Sequence, residues 1–234
     1  MLKNNKGHIL LITPRTFNYQ YKIKKELERS NYIVDLIEDR PFDNPLFHIM
    51  AKYFVNSIYF ITDKIYENLL NEFGRTNYKK IIIINGQCLS SNFKQLLKNN
   101  FPSARFILYR HDSNINRTFK KIDYSIFDHI SSFDYKDCDH FGFSYRPLFF
   151  SNEMSTNNFK PIKEKYLYDF CFIGTIHTDR YSILKKLENN YSHNMKIFYH
   201  LYLKSKIIYY LLKILKKDYR HSKITEFKFN SVPL

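Results

Sequence analysis

The chain has 234 residues, 44% of them hydrophobic, which suffices for one large domain or one complete domain plus part of another and excludes a disordered polymer. Lys and Arg number 37 against 22 Asp and Glu, a formal net charge of +15, so the surface favours anionic partners such as nucleotide phosphates, acidic membrane or nucleic acid. The 3 cysteines, Cys88, Cys138 and Cys171, lie far apart without a C-x-x-C pair, which argues against a disulfide framework or a zinc site and points to reducing cytoplasm.

The amino terminus, MLKNNKGHILLITPR, has an apolar run too short for a signal peptide, and no run approaches the roughly 18 apolar residues of a spanning helix. The expected location is cytoplasmic, with peripheral contact at the inner face of the membrane as an option. Strand and helix signals then alternate as in a doubly wound α/β domain. The pattern predicts strands at His8–Ile12 and Tyr32–Ile37 with a helix over Phe17–Arg29 between them. Pro45–Phe73 carries apolar residues at helical spacing, as one long or two short helices, and Gly74 ends it. Lys80–Ile84 is the strongest strand signal and runs into the turn pair Asn85-Gly86. A helix over Phe93–Asn99, a strand over Arg105–Tyr109 and weaker strands at His129–Phe133 and Tyr145–Phe150 complete an amino-terminal domain of residues 1–150. Residues 151–167 lose apolar periodicity and gain Asn, Ser, Thr and Pro, the composition of a linker.

Beyond it, residues 168–234 open with YDFCFIGTIHTDRY, a strand over Tyr168–Ile173 delivered through Gly174, where the backbone is expected to turn sharply, into a helix over Asp179–Leu187. Free amides around Thr175–Thr178 would hold an anion, with Thr175, His177 and Arg180 donating side-chain hydrogen bonds. A plain strand-to-helix turn has the same composition, because one Gly is a weak fingerprint beside G-x-G-x-x-G. A strand at Met195–Tyr199 and a basic helix from about Lys204 to Lys217 follow. Read from Tyr199 to Tyr219 as one helix, this stretch places Leu201, Ile208, Leu211, Leu212 and Leu215 near one face, fit for an acidic membrane or for a core with snorkelling lysines.

In open α/β sheets ligands sit outside the carboxyl ends of the strands, which selects Thr13-Pro14-Arg15, Asn85-Gly86-Gln87 and Arg110-His111-Asp112-Ser113. There Arg15 and Arg110 would neutralise phosphate and Asp112 would take a proton from a hydroxyl. Asp112 and Ser113 equally suit a helix cap, and His111 suits a surface or hinge position. No Walker sequence, H-E-x-x-H or G-x-S-x-G motif occurs, so neither a metal nor a serine nucleophile is expected, and without an RNP, KH or zinc-finger signature nucleic acid is not the expected partner.

The segments ILLITPRTFNYQYKIKKELERSNYIVDLIEDRP, IIIINGQCLS, RFILYRHDS, HISSFDYKDCDHFGFSYRPLFF and YDFCFIGTIHTDRYSILKKL together resemble bacterial capsule and lipopolysaccharide glycosyltransferases related to the CgeB-like spore-coat enzymes. The resemblance runs from about Ile9 to about Phe229, and FIGTIHTDRY is its most specific phrase. It implies a GT-B fold of two Rossmann-like domains, the first holding the acceptor and the second a nucleotide sugar, with no obligatory metal or other cofactor. It places Gly174, Thr175, His177, Asp179 and Arg180 at the donor phosphates, and Gly86, Asp112 and Ser113 on turns facing the cleft from the acceptor side, where Thr13, Arg15, Arg110 and His111 are the neighbouring candidates. Family members continue past the FKF-like strand, so the expected donor domain is incomplete. Two functions follow as expectations: sugar transfer from a nucleotide sugar to a polysaccharide or lipid-linked acceptor by a truncated enzyme, or a non-catalytic module that keeps the acceptor-side domain and associates with a partner subunit or membrane.

Overall fold

The structure is a computed structural model that describes residues 6–42, 47, 50, 51, 54–74, 76–114, 123–150, 166–175, 179–203, 206–215 and 226–227. It divides into two compact units, Met1–Ser155 and Thr156–Leu234. Residues 151–165 of the expected linker lie outside the described residues.

The first unit is an α/β domain of Rossmann-like type. Its strands are β1 (His8–Thr13), β2 (Ile33–Glu38), β3 (Tyr78–Ile84), β4 (Arg105–Arg110), β5 (His129–Ser132) and β6 (Ser144–Tyr145), all parallel in the order β2-β1-β3-β4-β5-β6. Helices α1 (Tyr19–Arg29), α2 (Val55–Phe73), α3 (Ser91–Asn100) and α4 (Tyr135–Phe141) connect them. The unbroken apolar runs of β1 and β3 have their cause here, since a strand covered on both faces has no polar side to show. Ile9, Leu11 and Val34 pack with Ile23 and Leu27 of α1, while Leu10, Ile12, Ile81 and Ile83 pack on the opposite face with Tyr66, Leu70, Phe93 and Leu97 of α2 and α3. The chain steps from β1 out to β2 and returns past β1 to β3, so the direction of winding reverses between β1 and β3. A reversal of this kind opens a crevice at the strands' carboxyl ends.

Two expectations differ from what forms. Of the strand expected over Tyr145–Phe150, only Tyr145 pairs, together with Ser144 just before it, because Arg146 N–H closes the ladder on Ser132 O at 2.9 Å and Pro147 has no N–H to continue it. The helix α4 was not expected; Asp134 caps it by accepting from Lys136 N–H at 2.9 Å, and Gly142 ends it at φ 70°.

The second unit has strands β7 (Phe170–Thr175), β8 (Ile197–Leu203) and β9 (Glu226–Phe227), parallel and in chain order, with α5 (Arg180–Tyr191) and α6 (Lys206–Leu215) between them. Tyr181, Leu184, Leu201, Leu203 and Tyr209 bury one face together with Phe170, Phe172 and Tyr199. Cys171, Ile173 and Phe198, alternate with these along their strands, are exposed. Residues Tyr199–Leu203 finish β8 rather than begin a helix, so Leu201 belongs to the sheet core and not to a helical face; the β-branched and aromatic run IFYHLYL favours a strand. Among the described residues no helix is long and apolar enough to cross a membrane.

Candidate functional site

At the carboxyl edge of the first unit's sheet, Asn85 organises the turn that leaves β3. It sits at φ 59° and Gly86 at φ 62°, left-handed conformations that Asn and Gly adopt most readily. A Cβ on Gly86 would lie 2.8 Å from Cγ2 of Ile83, so the close approach of the turn to the strand also requires glycine. Each polar group of Asn85 reaches toward β4. Its backbone N–H donates to Tyr109 O at 3.0 Å, and its carbonyl accepts from Arg110 Nη1 at 3.0 Å. Its side-chain oxygen accepts from His111 N–H at 2.8 Å, and its side-chain amide donates to Asp112 Oδ2 at 2.9 Å. The two turns singled out from sequence, around Gly86 and around Asp112, are thus one hydrogen-bonded constellation, joined by Asn85, which sequence reasoning placed in a candidate turn without giving it a role. The Asn-Gly pair was the signal that marked it.

Arg110 is fully buried inside this constellation, donating to Asn85 O and, through Nη2, to Asn114 Oδ1 at 2.8 Å. Its charge holds the turns together. Arg15, on the turn after β1, pairs with Glu38 at the end of β2 through Nε at 2.8 Å and Nη2 at 2.5 Å. Thr13 is buried, and its carbonyl accepts from Asp39 N–H at 3.0 Å. Next to it, Arg40 lies 3.8 Å from buried Asp39 and donates to Gln87 Oε1 at 3.3 Å, which ties the end of β2 to the turn after β3 across β1. Ser113 is buried and hydrogen-bonds Asp134, an interaction that lowers the Asp134 carboxyl below its usual range.

His111 packs edge-on against Tyr109 with centroids 4.5 Å apart and near Phe149 at 5.7 Å. Burial pushes its pKa down to about 4, against a smaller opposing pull from the Asp112 charge, so the imidazole is neutral at neutral pH. The turn between β1 and α1 holds Phe17 at φ 50° and Asn18 at φ 59°. For a bulky residue such as Phe17 this backbone costs about 1–3 kcal/mol, and strain of that kind collects at functional sites.

In the second unit, Gly174 is buried within β7, in register with Leu201, and its φ is not left-handed. The expected sharp turn at Gly174 does not form. A Cβ there would lie 2.8 Å from Cζ of Phe172, the far end of that side chain, and 3.7 Å from Nη1 of Arg180, so the ring fills the space that the glycine leaves. Arg180, the first residue of α5, reaches back to donate to Thr175 O at 3.4 Å and lies 6.0 Å from the Phe172 ring centroid. Asp179 is exposed at the N-cap without a side-chain cap bond. Thr175, Asp179 and Arg180 thus flank the connection from β7 to α5; His177 lies outside the described residues.

Among the described residues no group of three His, Cys, Asp or Glu side chains could hold a metal ion. Shallow depressions occur at the opposite edge of the first sheet, one of them lined by Gly74, Tyr78, Phe101 and Ala104, but that is the amino edge, away from the end where open parallel sheets bind ligands. The carboxyl edge, with its turn residues cross-linked by buried polar groups, is the candidate site. Compared with protein-family models, with curated proteins and with solved structures, the chain matches none of them.

Proposed function

We propose that the chain is a glycosyltransferase of GT-B type, moving a sugar from a nucleotide sugar to a cell-surface polysaccharide or lipid-linked acceptor. The observation that carries this reading is the Asn85–Asp112 hydrogen bond at the carboxyl edge of a doubly wound parallel sheet, followed in the same chain by a second parallel unit with its own strand-to-helix connection. In this reading the first unit binds the acceptor. Asp112, held by the Asn85 amide, removes the proton from the acceptor hydroxyl as that oxygen bonds to the anomeric carbon and the nucleoside diphosphate leaves with the electron pair of the broken bond. In the second unit, taken by itself, the amino end of α5 and Arg180 favour an anion such as a diphosphate. Arg110 acts by positioning Asp112, because its own guanidinium is spent inside the turns.

The test is donor binding by calorimetry with uridine and guanosine sugars, alongside release of nucleoside diphosphate in the presence of lipid-linked and polysaccharide acceptors. Heat on binding and diphosphate release are expected, with Asp112→Asn lowering the rate at least about 100-fold, in keeping with loss of a general base. Absence of both signals for every donor removes the transferase reading. A second reading, a non-catalytic module that binds an acceptor or partner subunit, draws on the pairing of Arg15 with Glu38 and the burial of Arg110, which commit these two arginines to structure. It predicts acceptor binding without turnover.

A further inference from the structure

Five rings run along the carboxyl edge of the first unit, from the β1–α1 turn to the end of β4. Phe17 meets Tyr19 at 5.6 Å between centroids, Tyr19 meets Phe149 at 5.2 Å, Phe149 meets His111 at 5.7 Å, and His111 meets Tyr109 at 4.5 Å. The row is assembled from three separate parts of the chain. The Tyr109 hydroxyl donates to Pro147 O at 2.8 Å, which straps the residues after β6 across the edge and lets Phe149 span from β4 to α1. Phe17 and Phe149 nevertheless stay 48% and 38% exposed. Phe17 is also held at positive φ, so the turn presents an aromatic side chain to solvent against its backbone preference. Rings that the core does not bury, at the edge where the winding reverses, suit a ligand platform.

Charge selects the ligand. Three arginines at this edge are already committed, Arg15 to Glu38, Arg40 to Asp39 and Gln87, and Arg110 to the turn carbonyl and Asn114, while Arg146 after β6 is exposed beside Tyr109. A phosphorylated ligand would have to break one of these pairs or rest on the single exposed guanidinium of Arg146. A neutral saccharide would not; its C–H faces pack on aromatic rings and its hydroxyl rim donates to carboxylates and accepts from amides. We propose that Phe17, Tyr19 and Phe149 form a platform for an uncharged glycan, whose hydroxyls are then within the neighbourhood of Asp112. That the glycan is the acceptor of sugar transfer rests on the function proposed above; that the edge binds an uncharged glycan does not.

The chain contains no tryptophan, so Phe149→Trp places a single fluorescent reporter on the platform. Its emission is followed while soluble neutral oligosaccharides of hexose, N-acetylhexosamine and deoxyhexose type are added, and the unaltered protein is applied to an array carrying neutral and acidic glycans. Binding of at least one neutral glycan is expected, with a blue shift of the reporter's emission and at least tenfold weaker binding by Phe149→Ala at unchanged Tm. Phe17→Asn gives a second variant that removes a ring while keeping a residue suited to positive φ, and the same loss is expected of it. No neutral glycan bound, acidic glycans alone bound, or full binding by both ring variants overturns the platform. Glycan binding that depends on Phe149, without turnover of any nucleotide sugar, keeps the platform and removes the transferase. Sugar transfer whose acceptor KM is unchanged by Phe149→Ala does the reverse.

Discussion

His111 and Arg110 show how burial changes the meaning of a residue. Both stand in a stretch, RHDS, that in sequence offers a cation, an imidazole, a carboxylate and a hydroxyl for chemistry. Once β3 and β4 pair, Arg110 faces Asn85 and Asn114 and becomes a buried clamp, while His111 loses water and its pKa falls to about 4. A histidine harder to charge in the folded state than in the unfolded one, whose pKa is about 6.5, gives stability that is complete above about pH 6.5 and is lost as pH falls toward 4. The slope reaches at most about 1.4 kcal/mol per pH unit, less where the half-buried ring meets solvent. His111→Phe is expected to flatten urea-unfolding stability between pH 6.5 and 4, and an unchanged slope would show that His111 does not titrate in this range. None of this was legible in the residue type; it needed the neighbours.

Elements were more legible than their ends. The run KIIII marked β3 because a strand buried on both faces must be apolar at every position, and the helical spacing of Ile58, Ile65 and Leu69 marked α2. Boundaries shifted where a turn residue was misjudged. Gly174 was expected to break β7 and instead lies inside it, close to Phe172, whereas Gly86 does occupy a left-handed turn. The two glycines therefore differ in what alanine would cost. Gly86→Ala combines φ +62° with a 2.8 Å approach to Ile83 and is expected to destabilise the fold by about 2–3 kcal/mol, read from the urea midpoint at constant m. It is expected to disturb Asp112 as well, because Asn85 is its neighbour in the turn. A loss below about 0.5 kcal/mol would mean that the turn relaxes freely.

The two units have cores of different kinds. In the first, helices cover both faces of the sheet and β1 is buried almost throughout. In the second, three strands bury a smaller cluster on one face, and Ile173 on the other is 56% exposed. Buried apolar area sets the free energy of local opening, so amide hydrogen exchange is expected to be slowest in β1 and β3 and faster by at least tenfold in β7 and β8. Equal protection in both sheets would place an unrecognised cover over the second.

From its sequence alone, the chain is an α/β protein: periodicity is a local property, and buried parallel strands carry their signature in every residue. Composition likewise disclosed the charge and the lack of tryptophan. The tertiary structure decided the rest of the candidate site, because its parts are remote in sequence. Asn85 meets Asp112 only when β3 lies beside β4, and Phe149 meets Tyr19 and His111 only when the strap after β6 is tied down by Tyr109. Which arginine is spent within the fold depends on which carboxylate or carbonyl the winding of the sheet brings within reach.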